Sequence, residues 1–166
     1  MRLIRMVALA MALVSVAMLC IPNLALAASQ SFGARLIGGE ETPSISTRAG
    51  GFFSATLNEA ETELEYVLVY FELEGTVSVA HIHFGQPGVA GGIVAFLCGG
   101  GGKPACPASG TFLTGTVTAA DVRDLAAQGF AAGEFSELVR AMRAGLSYAN
   151  VHSNLFPAGE IRGQIR

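Results

Sequence analysis

Tryptophan is absent from this 166-residue sequence, and histidine and cysteine each occur only three times. Charge is sparse as well, at 14% of residues, with ten Lys and Arg against thirteen Asp and Glu. No basic cluster exists, so neutralisation of a phosphate backbone has no source, and nucleic-acid binding is excluded as a function class. No Gly-x-Ser-x-Gly elbow is present, and no Ser/His/Asp set follows from the spacing of the serines and acids. GGGGKPAC, Gly99 to Cys106, lacks the Ser or Thr that a phosphate loop carries after its lysine, and Pro104 has no backbone N–H to give. Asn58, Asn150 and Asn154 all miss the Asn-x-Ser/Thr acceptor pattern. No catalytic residues emerge, and the expectation is a non-enzymatic protein.

What is present begins with a leader. Residues 1–27 read as a secretory signal peptide: Arg2 and Arg5, an uncharged apolar run from Met6 to Cys20, then Ala25-Leu26-Ala27 as a small-residue cleavage site. The run is short for a membrane span, so no stable span is expected after cleavage. Residues 28–166 then form one domain, whose charge is 8 basic minus 13 acidic, or −5. The expected location is secreted or periplasmic. Loss of Cys20 leaves Cys98 and Cys106, and an even pair in an exported chain predicts a disulfide closing the glycine-rich loop.

The periodicity is that of strands. FSATLN (53–58), ELEYVLVYFELEG (63–75) and TVSVAHIHF (76–84) alternate, GGIVAFLC (91–98) is a short apolar run, and GTFLTGTVT (110–118) is a further candidate. FGARLIGGEE suits an edge strand, and LSYANVHS and GEIRGQIR read as the last two strands. Glu59, Glu61, Glu63 and Glu65 alternate like the solvated face of a strand. Two helical insertions, as short helices or helical turns, are expected. TAADVRDLAAQG is framed by Thr118 with Asp121 at one end and Gly129 at the other. EFSELVRAMRAG places Phe135, Leu138, Val139 and Met142 at i, i+3, i+4 and i+7, with Gly145 as its stop.

The chemistry concentrates in AHIHFGQPG and YANVHSNLFPAGEIRGQ. His81 and His83 lie two apart, so a strand turns both to one face, and His152 on another strand offers a third imidazole. Three imidazoles with an open fourth position suit Zn or Cu, provided that their nitrogens lie within about 3–4 Å of one another. The alternative is structural, each ring bonded to its own carbonyl or carboxylate, with Glu160 a partner for His152. Glu160, Arg162 and Gln164 share a strand face, either as a polar binding strip or as a solvated surface.

AHIHFGQPGVAGGIV and AGLSYANVHSNLFPAGEIRGQI together resemble the CHRD domain family. The second stretch is similar to the family's closing pattern through Tyr148, Asn150 and His152, then Phe156, Pro157, Gly159, Glu160, Ile161, Arg162, Gly163 and Gln164. The resemblance implies an immunoglobulin-like antiparallel β-sandwich or barrel, here with the two helical insertions. It also implies, by analogy with chordin, a secreted module that binds protein. His81 to Gly85, HIHFG, bears a limited likeness to copper/zinc superoxide dismutase, but three histidines are too few for that dinuclear centre. The reading is therefore an exported binding or structural module whose partner is a protein or an envelope component. Its alternative is a mononuclear Zn or Cu protein using His81, His83 and His152.

Overall fold

The computed structural model describes residues 29–166; residues 1–27, where a signal peptide is expected, lie outside the described residues. Eight strands, all paired antiparallel, form one sheet: β1 (Gln30–Ile37), β2 (Gly50–Leu57), β3 (Glu63–Phe71), β4 (Val77–Phe84), β5 (Gly92–Cys98), β6 (Leu113–Thr118), β7 (Ser147–Ser153) and β8 (Ile161–Gln164). Their order is β5-β4-β7-β8-β1-β2-β3-β6, which curls into a nearly closed barrel. The mainly β, antiparallel architecture agrees with the sequence reading.

Alternation sets which side chains fill the barrel. Phe53, Ala55 and Leu57 of β2 and Leu64, Tyr66, Leu68 and Tyr70 of β3 point inward, while Ser54, Thr56, Glu63 and Glu65 face water. Removing one of these inner side chains, Leu68→Ala for instance, is worth about 2–5 kcal/mol. Tyr66 spans the barrel to donate to the Leu97 carbonyl at 2.7 Å, and Tyr70 donates to that of Pro107. Burial pushes both phenols up to about 12.

β5 and β6 are the two edges, and short segments bridge them. Arg123 donates its backbone N–H to Val94 at 2.9 Å. Lys103 reaches both Thr116 O and Asp121 Oδ1 at 2.7 Å. The Cys98–Cys106 disulfide is formed, with Cα atoms 4.9 Å apart, and fixes the glycine loop against the end of β5.

Two expectations need correction. FGARLIGGEE does not form an edge strand, because β1 pairs with β2 on one side and with β8 on the other. The first helical insertion takes the form of two 3-10 turns, Ala119–Asp121 and Ala126–Gln128. The start and stop signals hold: Thr118 N–H donates to Asp121 Oδ2 at 2.9 Å, and Gly129 takes a left-handed φ of 83°. Between them, however, the Arg123 N–H is spent on β5 rather than on its own turn. The four alternating glutamates also divide: Glu63 and Glu65 lie on β3, but Glu59 and Glu61 sit in the preceding turn, where Glu61 pairs with Arg143. The second helix, α1 (Phe135–Arg143), forms as its periodicity predicts, burying Phe135, Leu138, Val139 and Met142. It closes as a Schellman motif: Leu146 N–H bonds Ala141 O at 2.9 Å, Gly145 N–H bonds Met142 O at 3.0 Å, and Gly145 has φ 66°.

Candidate functional site

β4, β7 and β8 differ from β2 and β3 in being buried on both faces. Their inward residues Ala80, Ile82, Ala149, Val151 and Ile161 join the core. Their outward residues His81, His83, Tyr148, Asn150, His152 and Arg162 are also buried, under segments that fold back over the outer face. The strand register makes this cluster: Val79 lies opposite His152, His81 opposite Asn150, and His83 opposite Tyr148, while Asn150 lies opposite Arg162. On the β5 side the register slips between Ala80 and His81 and again between Ile82 and His83, so both irregularities fall on the His-x-His stretch. Such bulges re-aim side chains next to functional sites.

The three imidazoles lie together, His81 and His83 on one face as their two-residue spacing predicts and His152 beside them from β7. Ring centroids lie 5.2 Å apart for His81 and His83, 4.8 Å for His81 and His152, and 6.3 Å for His83 and His152. All three rings are enclosed, with exposures of 4%, 8% and 7%. His83 Nδ1 lies 3.0 Å from the Gly91 carbonyl, and His152 Nδ1 lies 3.0 Å from that of Pro157. A carbonyl only accepts, so both Nδ1 atoms carry the proton and both Nε2 atoms are lone pairs. His81 Nδ1 donates to His152 Nε2 at 3.2 Å. His83 Nε2 is buried and has no hydrogen-bond partner.

Burial keeps the rings neutral. It drives His81 down to about 3, helped by its two neighbouring imidazoles and by Arg123. It drives His83 to about 4 against the contrary pull of the Gly91 carbonyl, and it lowers His152 against that of Pro157. Each imidazole therefore offers a lone pair at neutral pH. One nitrogen from each ring lies within 4.8 Å of the others. An ion bound at ~2.1 Å spans at most about 4.2 Å between two ligands. The widest spacing therefore exceeds the about 3–4 Å expected from the sequence and would have to close by about 0.6 Å around an ion. The 3.2 Å contact between His81 Nδ1 and His152 Nε2 is a hydrogen bond, and coordination through those two atoms would replace it, the His81 proton moving to Nε2. The carbonyl-bonded Nδ1 atoms match the outer-shell hydrogen bonds that orient metal-ligating histidines.

The surroundings hold these rings tightly. Tyr148 stacks on His83 with centroids 4.7 Å apart and planes 3° from parallel, and the Arg162 guanidinium sits 3.4 Å over the far face of Tyr148. Arg162 donates to Val89 O at 2.9 Å and Gln86 O at 3.2 Å, pinning the 86–91 loop over the site. Gln164 donates to Gly85 O at 2.9 Å and Gly145 O at 2.8 Å. Phe96 stands edge-on to His81 at 4.6 Å.

Glu160, Arg162 and Gln164 do not form the exposed strip considered from the sequence. Glu160 precedes β8 and is fully buried, its Oε1 accepting from the Glu74 N–H at 2.7 Å and the Thr47 hydroxyl at 3.1 Å. His152 takes Pro157 O as its partner instead. The carboxylate that does join the outer layer is Glu41, which accepts from Asn150 Nδ2 at 2.6 Å. Burial pushes Glu41 up to about 7, with the Arg162 charge and the Asn150 bond opposing it. No sequence signal marks Glu41, because its partner is 109 residues away.

Among curated proteins and among solved structures, none is significantly similar to this chain. A family model described as CHRD domain matches residues 32–165, which runs from β1 past the end of β8 and includes every residue of the histidine cluster. The chain belongs to the CHRD domain family.

Proposed function

We propose that this protein is an exported, non-enzymatic CHRD domain that binds one Zn or Cu ion through His81, His83 and His152. The observation that carries this reading is His83 Nε2, a buried lone pair without a donor, in a cluster with two further neutral imidazoles. Leaving a polar atom buried and unpaired costs about 1–3 kcal/mol, and a bound cation removes that cost. Export rests on the leader-like residues 1–27 and on the disulfide, which persists in oxidising compartments. Asn150, Arg162 and Gln164 hold the strands and loops around the site, and Glu160 ties the turn before β8 to the segment at Thr47 and Glu74.

A second reading is a binding or structural module without metal, serving a protein or envelope partner. The carbonyl partners of His83 and His152 favour it, since a purely structural cluster uses the same bonds.

Metal analysis of tag-free protein, repeated for His83→Ala, separates the two. Metal binding gives one equivalent of ion in the wild type, a rise in Tm on adding metal, and neither in the variant. Absence of stoichiometric metal together with no thermal shift leaves the structural module.

A further inference from the structure

We infer that the site selects monovalent copper, Cu(I), over the divalent ions Zn²⁺ and Cu²⁺; the inference rests on the three-imidazole reading above. Three features of the chain carry it.

The first is charge. The donor set consists of three neutral imidazoles, with no carboxylate or thiolate in the group. The cost of burying an ion rises with the square of its charge, while its attraction to neutral ligand dipoles rises only linearly. An enclosed site without a counter-ion therefore penalises a dication more than a monocation.

The second is the pair of arginines flanking the site. The Arg123 guanidinium lies 5.0 Å from the centre of the Phe96 ring, which itself packs on His81. The Arg162 guanidinium lies 3.4 Å over Tyr148, which stacks on His83. Each positive charge is thus one aromatic ring away from a ligand. Repulsion from a fixed charge is twice as large for a dication as for a monocation. Glu41, joined to the cluster through Asn150, offsets at most one of the two.

The third is coordination number. Zinc is almost always four-coordinate in proteins. Among the described residues the cluster offers three ligands and no fourth side chain. Phe96 and Tyr148, which pack against His81 and His83, bring no ligand atom to the group. Cu(I) is satisfied by three imidazole nitrogens, and imidazole is a good copper ligand.

The test uses tag-free, disulfide-intact protein at pH 7.5. Cu(I) is kept reduced with ascorbate under anaerobic conditions and competed with a chromogenic Cu(I) chelator. Zn²⁺ is competed with a fluorescent chelator, and Cu²⁺ is titrated aerobically without reductant. The expected result is one equivalent of Cu(I), lost in His83→Ala, with an affinity at least ~100-fold above that for Zn²⁺. Zn²⁺ or Cu²⁺ bound as tightly as Cu(I), with the same loss in His83→Ala, overturns the selectivity and leaves the three-imidazole reading standing. Failure of all three ions to bind overturns that reading itself. Arg123 is exposed, so Arg123→Gln tests the charge mechanism without disturbing the core. At low ionic strength it should raise Cu(I) affinity about two-fold and Zn²⁺ affinity by the square of that factor, about four-fold. Equal gains for the two ions, or none, contradict it.

Discussion

His83 donates its Nδ1 proton to the Gly91 carbonyl at 3.0 Å, and that one bond decides which nitrogen of the ring is left bare inside the protein. Gly91 also gives its N–H to the Tyr148 hydroxyl at 3.1 Å, so it holds both the His83 ring and the ring stacked on it. A β-carbon at this position would collide with the Phe84 carbonyl. Gly91→Ala is expected to cost about 1–3 kcal/mol in urea unfolding, and to lower metal affinity at least ~10-fold by releasing the His83 ring. Unchanged affinity in a folded variant would show that the Gly91 contact does not orient the ligand.

Acid should destabilise the metal-free protein early. His81 and His83 titrate at about 3 and about 4 in the folded state, and His152 is also lowered, against an ordinary 6.5. Their folded values lie below their unfolded ones, so the unfolded chain takes up protons first as the pH falls. The stability these neutral rings contribute is complete above pH 6.5 and drains away as the pH drops towards 4 and then 3. Each proton contributes up to about 1.4 kcal/mol per pH unit. Urea unfolding of the metal-free protein from pH 7 to pH 4 measures this slope. Stability that stays flat across that interval contradicts neutral buried rings.

Glu41 works in the opposite sense. Its folded value is raised to about 7 from 4.5, so the folded state keeps a proton that the unfolded chain has already lost. That contribution is fully present below pH 4.5 and is lost as the pH rises through about 7. Glu41→Gln keeps an oxygen to accept from Asn150 while removing the ionisation. The variant should match the wild type near pH 4, exceed it in stability at pH 8, and steepen the acid decline described above. A variant less stable than the wild type at pH 8 would mean that the Arg162 attraction outweighs the burial of the carboxylate.

The Cys98–Cys106 link closes a short loop, with a sequence separation of 8. In the chain-entropy picture its loss costs roughly 2–3 kcal/mol. The same loop packs on Phe96, where a β-carbon on Gly100 would meet the ring at Cδ1, 2.8 Å away. Cys98→Ser with Cys106→Ser should therefore lower the unfolding free energy by that amount and also loosen the Phe96 cover over His81. The second effect would register as faster metal release in a chelator chase. Release at the wild-type rate separates the loop from access to the site.

Much of the scaffold is legible in the sequence because β2 and β3 alternate cleanly between core and water. The convergence of His81 and His83 follows from the same two-residue period. That His152 joins them depends on the β4–β7 register, which no local pattern displays. The burial of the outer face of β4, β7 and β8 is not legible, because the covering segments around Glu41 and Gln86–Gly91 read as irregular loops. For that reason Glu160 and Arg162 look like surface residues in the sequence and are interior in the structure. Residues 118–129 keep their terminal signals, and the demand for the Arg123 N–H at the edge of β5 divides the segment into two 3-10 turns.

The most direct test of the account is X-ray absorption at the copper or zinc edge of the singly loaded, tag-free protein. The account predicts a first shell of three imidazole nitrogens at ~2.0–2.1 Å, with loading abolished by His83→Ala. A shell dominated by oxygen or sulfur, or a spectrum unchanged in that variant, would place the ion elsewhere and contradict it.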